Sequence, residues 1–299
     1  MFVRQLHYLL AVAREQHFGR AAESCNVSQP TLSGGLRKLE QELGYPLVIR
    51  GHRFLGFTAQ GERVLVWAQR IVADYDGLRQ DLAGPGAGLS GVLRLGAIPA
   101  ALPALPALVN AFTAAHPKVR VQIASLTSAA IQRALDELEI DAGITYLDNE
   151  PLSRVRSVPL YDETYVFVTL NAEPFTGRKT LSWAEAAQTP LCLLTPDMQN
   201  RRIIDQALAD AGVTLQPRVE ADSFMGVWAQ VASGGWSSIV PHAHLDLFGR
   251  ISGMRALPLV EPERVQSIGL VITDRDPSPP VAAALLRHAR AGLQVPAPG

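Results

Sequence analysis

Phe18-Gly19-Arg20-Ala21-Ala22, then Val27-Ser28-Gln29-Pro30-Thr31-Leu32-Ser33, then Leu36-Arg37-Lys38-Leu39-Glu40 and Gly44-Tyr45-Pro46-Leu47 set the rhythm of residues 18–58. Ala21 and Ala22 lack bulk, so a helix starting near Phe18 lets a neighbour approach closely. Asn26 suits the left-handed conformation that ends a helix. Val27 plugs the turn, Ser28 is a good N-cap, and Pro30 stands in a first helical turn, where a missing N–H costs nothing. Leu32, Leu36, Leu39 and Leu43 give the next helix a buried stripe, which Gly44 and Pro46 stop. Upstream, Leu6, Leu9, Leu10 and Ala13 recur at i, i+3, i+4 and i+7, the pattern of an amphipathic helix.

A helix, a sharp turn and a second helix place the second helix in a DNA major groove. Its outer face carries Gln29, Thr31, Ser33, Gly34, Arg37 and Lys38, with Ser28 and Pro30 at its start. Gln29 suits an adenine edge and the Thr31 methyl a thymine methyl. Arg37 and Lys38 suit phosphates, which position without specifying. Residues 47–58 read as a two-stranded wing in which Gly51 and Gly56 permit tight turning. Arg50 and Arg53 would lie along the backbone or enter a narrow minor groove, and Thr58 closes the set of expected DNA contacts. Residues 1–60 hold seven Lys and Arg against four acids, a surplus of three positive charges in a chain of net charge −1. A basic head on an acidic body suits DNA contact through one end.

This stretch resembles the winged helix-turn-helix of LysR-type transcriptional regulators, and the resemblance extends over essentially the full chain. The sequence departs from the family at Val48, where Phe is usual, at the wing tip near His52, and at Gly34-Gly35. Two adjacent glycines cost a helix roughly 1–2 kcal/mol against alanine. They either allow close approach to DNA or weaken the helix.

Val64, Ala68, Ile71, Tyr75, Leu78 and Leu82 are spaced 4-3-4-3-4, a heptad seam. Such a stripe wants a partner, either a second copy of the chain or its own head. LysR-type regulators use a long helix here to dimerise, which implies a homodimer and then a homotetramer. The run Gly84-Pro85-Gly86-Ala87-Gly88 reads as a hinge.

From Gly91 strands and helices alternate: strands at 92–98, 119–123, 141–145, 164–169, 191–194, 219, 238–240 and 267–272, with helices through Leu105, Leu108 and Phe112 and over 128–138. The pattern predicts an α/β region with mostly parallel sheets. The expected class is an α+β multidomain chain: a winged helix-turn-helix (1–58), a linker helix and hinge (59–90) and a regulatory domain (91–299). By resemblance the last has the two-lobed fold of type II periplasmic binding proteins, with lobe I at about 91–161 and 268–299 and lobe II at about 162–267. Ligands in open α/β folds bind beyond the carboxyl ends of strands, near helix N-termini. Matching the family's effector loops gives Pro99, Ala100, Ala101, Thr127, Ser128, Tyr146, Met198, Gln199 and Asn200. The first of these loops is apolar, so an anion would rely on backbone N–H groups with Thr127, Ser128 or Asn200. Arg201 and Arg202 read as a solvated helix face before they read as ligand charge.

The resemblance implies a sequence-specific transcriptional regulator that binds double-stranded operator DNA and a small effector, expected to be anionic, between the lobes. RNA polymerase is a compatible further partner. The alternative is a cytoplasmic solute-binding protein of the same fold. No nucleophile elbow, phosphate loop or metal-ligand spacing points to an enzyme, and no cofactor is expected. His242-Ala243-His244 is a weak metal motif. The two cysteines, Cys25 and Cys192, form no CxxC pair and read as small buried hydrophobes. No apolar stretch approaches the ~18 residues that span a bilayer, and residues 1–7 lack the features of a signal peptide. A cytoplasmic protein without a membrane partner is expected.

Overall fold

Three short helices build the head: α1 (Phe2–Glu15), α2 (Phe18–Ser24) and α3 (Gln29–Leu43). A computed structural model describes residues 2–50, 54–82, 88–171, 173–248 and 253–292. Leu6, Leu9 and Val12 of α1 meet Ala21 and Ala22 of α2 and the Leu32, Leu36 and Leu39 stripe of α3 in one core. The turn follows the expected chemistry. Asn26 stands at φ 54°, the Ser28 hydroxyl caps α3 by accepting from the Thr31 N–H at 3.3 Å, and Gly44 ends the helix at φ 77°. The wing is β1 (Val48–Arg50) antiparallel to β2 (Phe54–Phe57), with Val48 opposite Phe57. Glu40 fixes it from the recognition helix, since one carboxylate oxygen accepts from the N–H groups of Leu47 at 2.9 Å and Val48 at 3.2 Å. Gly51, His52 and Arg53, and residues 84–87 of the expected hinge, lie outside the described residues.

The paired glycines have separate roles. A Cβ on Gly35 would stand 2.7 Å from the Tyr8 ring, whereas one on Gly34 would meet nothing within 4 Å. Gly35 is therefore where α1 and α3 cross closely, and Gly34 lies on the open face. A Cβ on Gly61 would meet the Leu47 carbonyl oxygen at 2.0 Å, so α4 (Ala59–Leu82) starts hard against the wing. The helix α4 is as long as its heptad pattern requires, but the seam is not one surface. Ala68 is fully buried in the head core, and Val64 and Ile71 pack partly against it. Leu78 and Leu82 are 55% and 77% exposed, as is Trp67 at 61%. The expectation of a six-residue intermolecular seam is corrected here: its first half is claimed by α1, because the head needs a fourth helix to close its core.

The chain divides into two compact units near residue 90, so α4 belongs with the head. In the second unit, β3 (Ser90–Ala97) leads through a 3₁₀ turn (Pro99–Ala104) into α5 (Leu105–Ala115). Then come β4 (Lys118–Ser125), α6 (Ser128–Asp136), β5 (Ala142–Tyr146) and β6 (Val155–Glu163). The chain continues with β7 (Tyr165–Thr169), β8 (Leu181–Ser182), α7 (Trp183–Ala186), β9 (Cys192–Leu194) and α8 (Gln199–Asp210). It ends with β10 (Val219–Ala221), α9 (Phe224–Ala232), β11 (Ser237–Pro241), α10 (Ala243–Phe248), β12 (Arg255–Val260), β13 (Gln266–Thr273) and α11 (Pro280–Gly292).

The first lobe's sheet runs β4-β3-β5-β13-β6 and the second lobe's β11-β7-β12-β8, with β9 and β10 paired beside it. The sheets are mixed, not mostly parallel. Strand β13 is antiparallel to both β5 and β6, and β7 is antiparallel to both β11 and β12. The reason is topological: β13 carries the chain back from the second lobe and enters the first sheet from the opposite end. The crossings fall at Glu163–Tyr165 and just before Gln266, two residues from the expected boundaries, and Glu163 sits opposite Gln266 in the register.

The glycine pair gives a first prediction. Gly35→Ala should destabilise the head by about 1–3 kcal/mol through overpacking against Tyr8. Gly34→Ala should stabilise it by up to about 1 kcal/mol through helix propensity. Urea unfolding of the two full-length variants reads both signs, and equal shifts would refute the crossing.

Candidate functional site

The N-terminal half of α3 presents a polar end. Ser28, Gln29, Pro30, Thr31, Gly34, Arg37 and Lys38 are exposed, and Ser33 is half-buried. The Ser28 and Thr31 hydroxyls share a hydrogen bond of 2.8 Å, which orients Thr31 and leaves its methyl free to pack. Arg37 and Lys38 follow about two turns beyond Thr31 and are both exposed, where phosphates flank a groove. Arg50 ends β1. Thr58 departs from its expected role: its hydroxyl donates to the Pro46 carbonyl at 2.7 Å and accepts from the Gly61 N–H at 2.9 Å. That hydroxyl is the N-terminal cap of α4, so within the protein Thr58 holds the start of the linker helix.

In the second unit a cavity lies between the lobes. The first lobe lines it with Ile98, Pro99, Ala100, Thr127, Ser128 and Tyr146, and the second with Leu194, Met198, Gln199 and Asn200. Its volume of about 10 Å³ is what a single water needs. Eight of the nine expected effector residues thus come together. Ala101 does not; it is fully buried beneath the 3₁₀ turn. Leu194 was missed by the sequence reading, because it reads as a strand residue like its neighbours; Ile98 opens the first expected loop but was not among the expected contacts.

The lobes are joined by their own side chains. The Gln199 carboxamide accepts from the Ser128 hydroxyl and donates to the Asn149 carbonyl. Asn200 donates to the Tyr146 oxygen at 3.0 Å, and Tyr146 donates onward to Glu163 at 2.7 Å. Behind Ser128, Thr145 donates to its hydroxyl at 3.1 Å. At the mouth, Arg202 pairs with Glu150, an exposed pair of the kind worth little by itself.

Arg201 is neither solvated nor available to a ligand. It is buried, its Nε 2.8 Å from Asp205 and its Nη1 2.7 Å from Glu220, and it also donates to the Leu194 carbonyl. The sequence hid this because Glu220 arrives from β10, far along the chain. His244 likewise departs from a metal reading: it is buried, with its ring 3.9 Å from that of Phe224. Burial pushes its imidazole down to about 4.

Glu163 is the one deeply buried carboxyl at the lobe crossing, set among Tyr146, Tyr161 and Tyr165. Burial pushes it up to about 7, against the opposing pull of the Tyr146 and Tyr165 phenols. Burial also raises all three tyrosines, and the nearby Glu163 charge adds to it. Among the described residues, no helix is long and apolar enough to cross a membrane.

Two protein-family profiles match the chain. One, described as "Bacterial regulatory helix-turn-helix protein, lysR family", covers residues 3–62, and the other, "LysR substrate binding domain", covers residues 86–294. The chain is 31% identical over 281 residues to OxyR of Escherichia coli, spanning 93% of this chain and 91% of that protein. That relative is named a DNA-binding transcriptional dual regulator in strain K12 and a hydrogen peroxide-inducible genes activator in O157:H7. This chain is also 36% identical over 245 residues to an SDS degradation transcriptional activation protein of Pseudomonas sp., covering 80% of this chain and 78% of that one. Among solved structures, a full-length OxyR of Pseudomonas aeruginosa carrying a cysteine-to-aspartate substitution superposes with a TM-score of 0.76 at 27% identity, covering 97% and 98% of the two chains.

The buried carboxyl sets a pH dependence. Its folded value lies above the unfolded value of 4.5. Its contribution is therefore intact below pH 4.5 and is lost as the pH rises towards 7, by about 3 kcal/mol in all. Glu163→Gln keeps an acceptor for Tyr146 and removes the charge. Its thermal stability should fall less than that of the wild type between pH 4.5 and 7, and exceed it above pH 7. Parallel pH profiles for the two proteins would show that Glu163 is not held protonated by burial.

Proposed function

This chain belongs to the LysR family of DNA-binding transcriptional regulators, with an effector-binding domain, and from that premise we propose which of its surfaces do each task. The observation that carries the DNA assignment is α3: its leucine stripe is buried in the head while Gln29, Thr31, Arg37 and Lys38 are exposed. Gln29 and Thr31 read base edges, with Ser28, Pro30, Ser33 and Gly34 beside them. Arg37, Lys38, Arg50 and Arg53 hold phosphates. The head is residues 1–58, the linker 59–90 and the regulatory domain 91–299. The free half of the linker seam, Tyr75, Leu78 and Leu82 with Trp67 at its edge, pairs two copies. Dimers of this kind place two heads on a two-fold-symmetric site, and two dimers form the tetramer. The protein acts in the cytoplasm and performs no turnover; its effector is bound and released unchanged.

The effector site is the interlobe cavity, and the signal is not read by a thiol there. The OxyR relatives are named for hydrogen peroxide, which oxidises accessible thiolates. No cysteine lines this cavity. Cys25 belongs to the head, and Cys192 is buried in β9, with its thiol pushed up by burial. The effector is accordingly held by non-covalent contacts.

Fluorescence anisotropy on the DNA upstream of the protein's own gene tests the reading. Gln29→Ala or Thr31→Ala should cost roughly 1–3 kcal/mol and change base preference, whereas Arg37→Ala should reduce the salt slope by about one. Equal losses on specific and random DNA for all three would refute α3 as the reading helix. In sedimentation, Leu78→Glu should dissociate the dimer. An unchanged oligomer would move the interface elsewhere.

A further inference from the structure

The donors and acceptors that face the interlobe cavity define the chemistry of its ligand, given the effector reading above. Among the ten residues that line it, none carries a charged side chain. The cations that follow Asn200 on α8 are already matched, Arg201 by Asp205 and Glu220 and Arg202 by Glu150. The Tyr146 proton is committed to Glu163, so the Tyr146 oxygen can only accept. That forces the Asn200 amide nitrogen towards it. The Asn200 carbonyl oxygen is left buried and without a hydrogen-bond partner, in a residue only 5% exposed. An unpaired buried acceptor costs about 1–3 kcal/mol, and a ligand that donates to it recovers that cost.

Gln199 shows what else the site offers. Its carbonyl oxygen accepts a hydrogen bond from the Ser128 hydroxyl, and its N–H groups donate to the Asn149 carbonyl and, at 3.1 Å, to the Asn149 side-chain oxygen. One donor and several acceptors therefore converge on this point. The complement is one acceptor atom beside an N–H pair. An anion offers acceptors only; it would face the Asn149 and Asn200 oxygens with no cation to offset them.

We propose that this cleft takes a small, uncharged molecule carrying an acceptor and N–H or O–H donors on neighbouring atoms, in the pattern of a carboxamide. The Gln199 side chain is its internal mimic, making within the protein the bonds that the ligand takes over. The ligand is small because the cavity beside Gln199 adds little more than one water to the space its carboxamide fills. This reading differs from the anionic effector expected from the sequence.

Acetamide and acetate are matched in shape and differ in charge and in N–H donors. Saturation-transfer NMR on their methyl signals, with the full-length protein, reads binding of each. Acetamide should saturate with the wild type and acetate should not. Gln199→Ala removes the competing carboxamide and should bind acetamide about fivefold tighter, the worth of one net hydrogen bond. Acetate binding as well as acetamide, no acetamide binding to either protein, or acetamide binding indifferent to Gln199→Ala would each overturn the proposal. The wild-type comparison stands even if the variant does not fold. Anisotropy on upstream DNA in the same samples separates the two readings. Acetamide that binds without altering DNA affinity removes effector control and leaves the ligand class standing. Intact DNA binding without acetamide binding removes the ligand class alone.

Discussion

The hydrogen bonds from the first turn of α8 to the first lobe set the geometry of the regulatory domain. Two chain crossings join the lobes, at Glu163–Tyr165 and before Gln266, and they lie side by side in the sheet register. Adjacent crossings act as a hinge, so the closure angle is left to whatever bridges the cleft. Gln199 with Ser128 and Asn149, Asn200 with Tyr146, Arg202 with Glu150, and the packing of α10 on the 3₁₀ turn supply that bridge. Each neutral bond contributes about 0.5–1.5 kcal/mol net. Together they favour closure by a few kcal/mol, a bias that a ligand can add to or compete with.

The head obeys a tighter rule. The recognition helix is tied to α1 by Gly35 under the Tyr8 ring and to the wing by Glu40 on its backbone, and the wing is tied to the start of α4 by Gly61 against Leu47. The contacts form a chain, so α3, the wing and the start of α4 move as one body. Such rigidity is useful where base edges must be met within a fraction of an ångström. Gly34 lies outside these constraints. On the open face of α3 it is free to accept a backbone approach from DNA.

Local signals were legible and non-local ones were not. The Ser28 cap, the left-handed Asn26, the Gly44 stop and the leucine stripe depend on residues within a turn or two, and each appears where the sequence placed it. Most of the residues that line the interlobe cavity were legible too, because strand-to-helix junctions mark their loops. The burial of Arg201 was not, because Glu220 reaches it from a strand that only the fold brings near. Mixed strand direction was also hidden, since an apolar run reads alike in either direction, and β6 and β12 carry no alternation clear enough to be seen. The heptad seam misled in a specific way. Periodicity shows that a stripe is apolar but not which neighbour covers it, and Ala68 turned inward while Leu78 and Leu82 stayed exposed. Trp67, just outside the 4-3 spacing, was missed for the same reason.

A weakly clasped hinge is what a graded regulator needs. To move a population from 1:99 to 99:1, a ligand must prefer one state by about 5.5 kcal/mol. A lobe pair locked by many buried contacts would put that shift beyond a ligand of a few atoms. Here the side-chain bonds across the cleft are few, three neutral pairs and the exposed Arg202–Glu150 pair, beside the packing of α10 on the 3₁₀ turn, and one buried acceptor on Asn200 remains unpaired. Satisfying that acceptor and replacing the Gln199 bonds draws on the same atoms that hold the lobes together. Binding and closure are therefore one equilibrium. Glu163, at the hinge and two hydrogen bonds from Asn200, adds a proton to that equilibrium. Its carboxyl accepts from the Tyr146 hydroxyl at 2.7 Å, which leaves the Tyr146 oxygen to accept from Asn200 and so sets the face that Asn200 turns to the cleft.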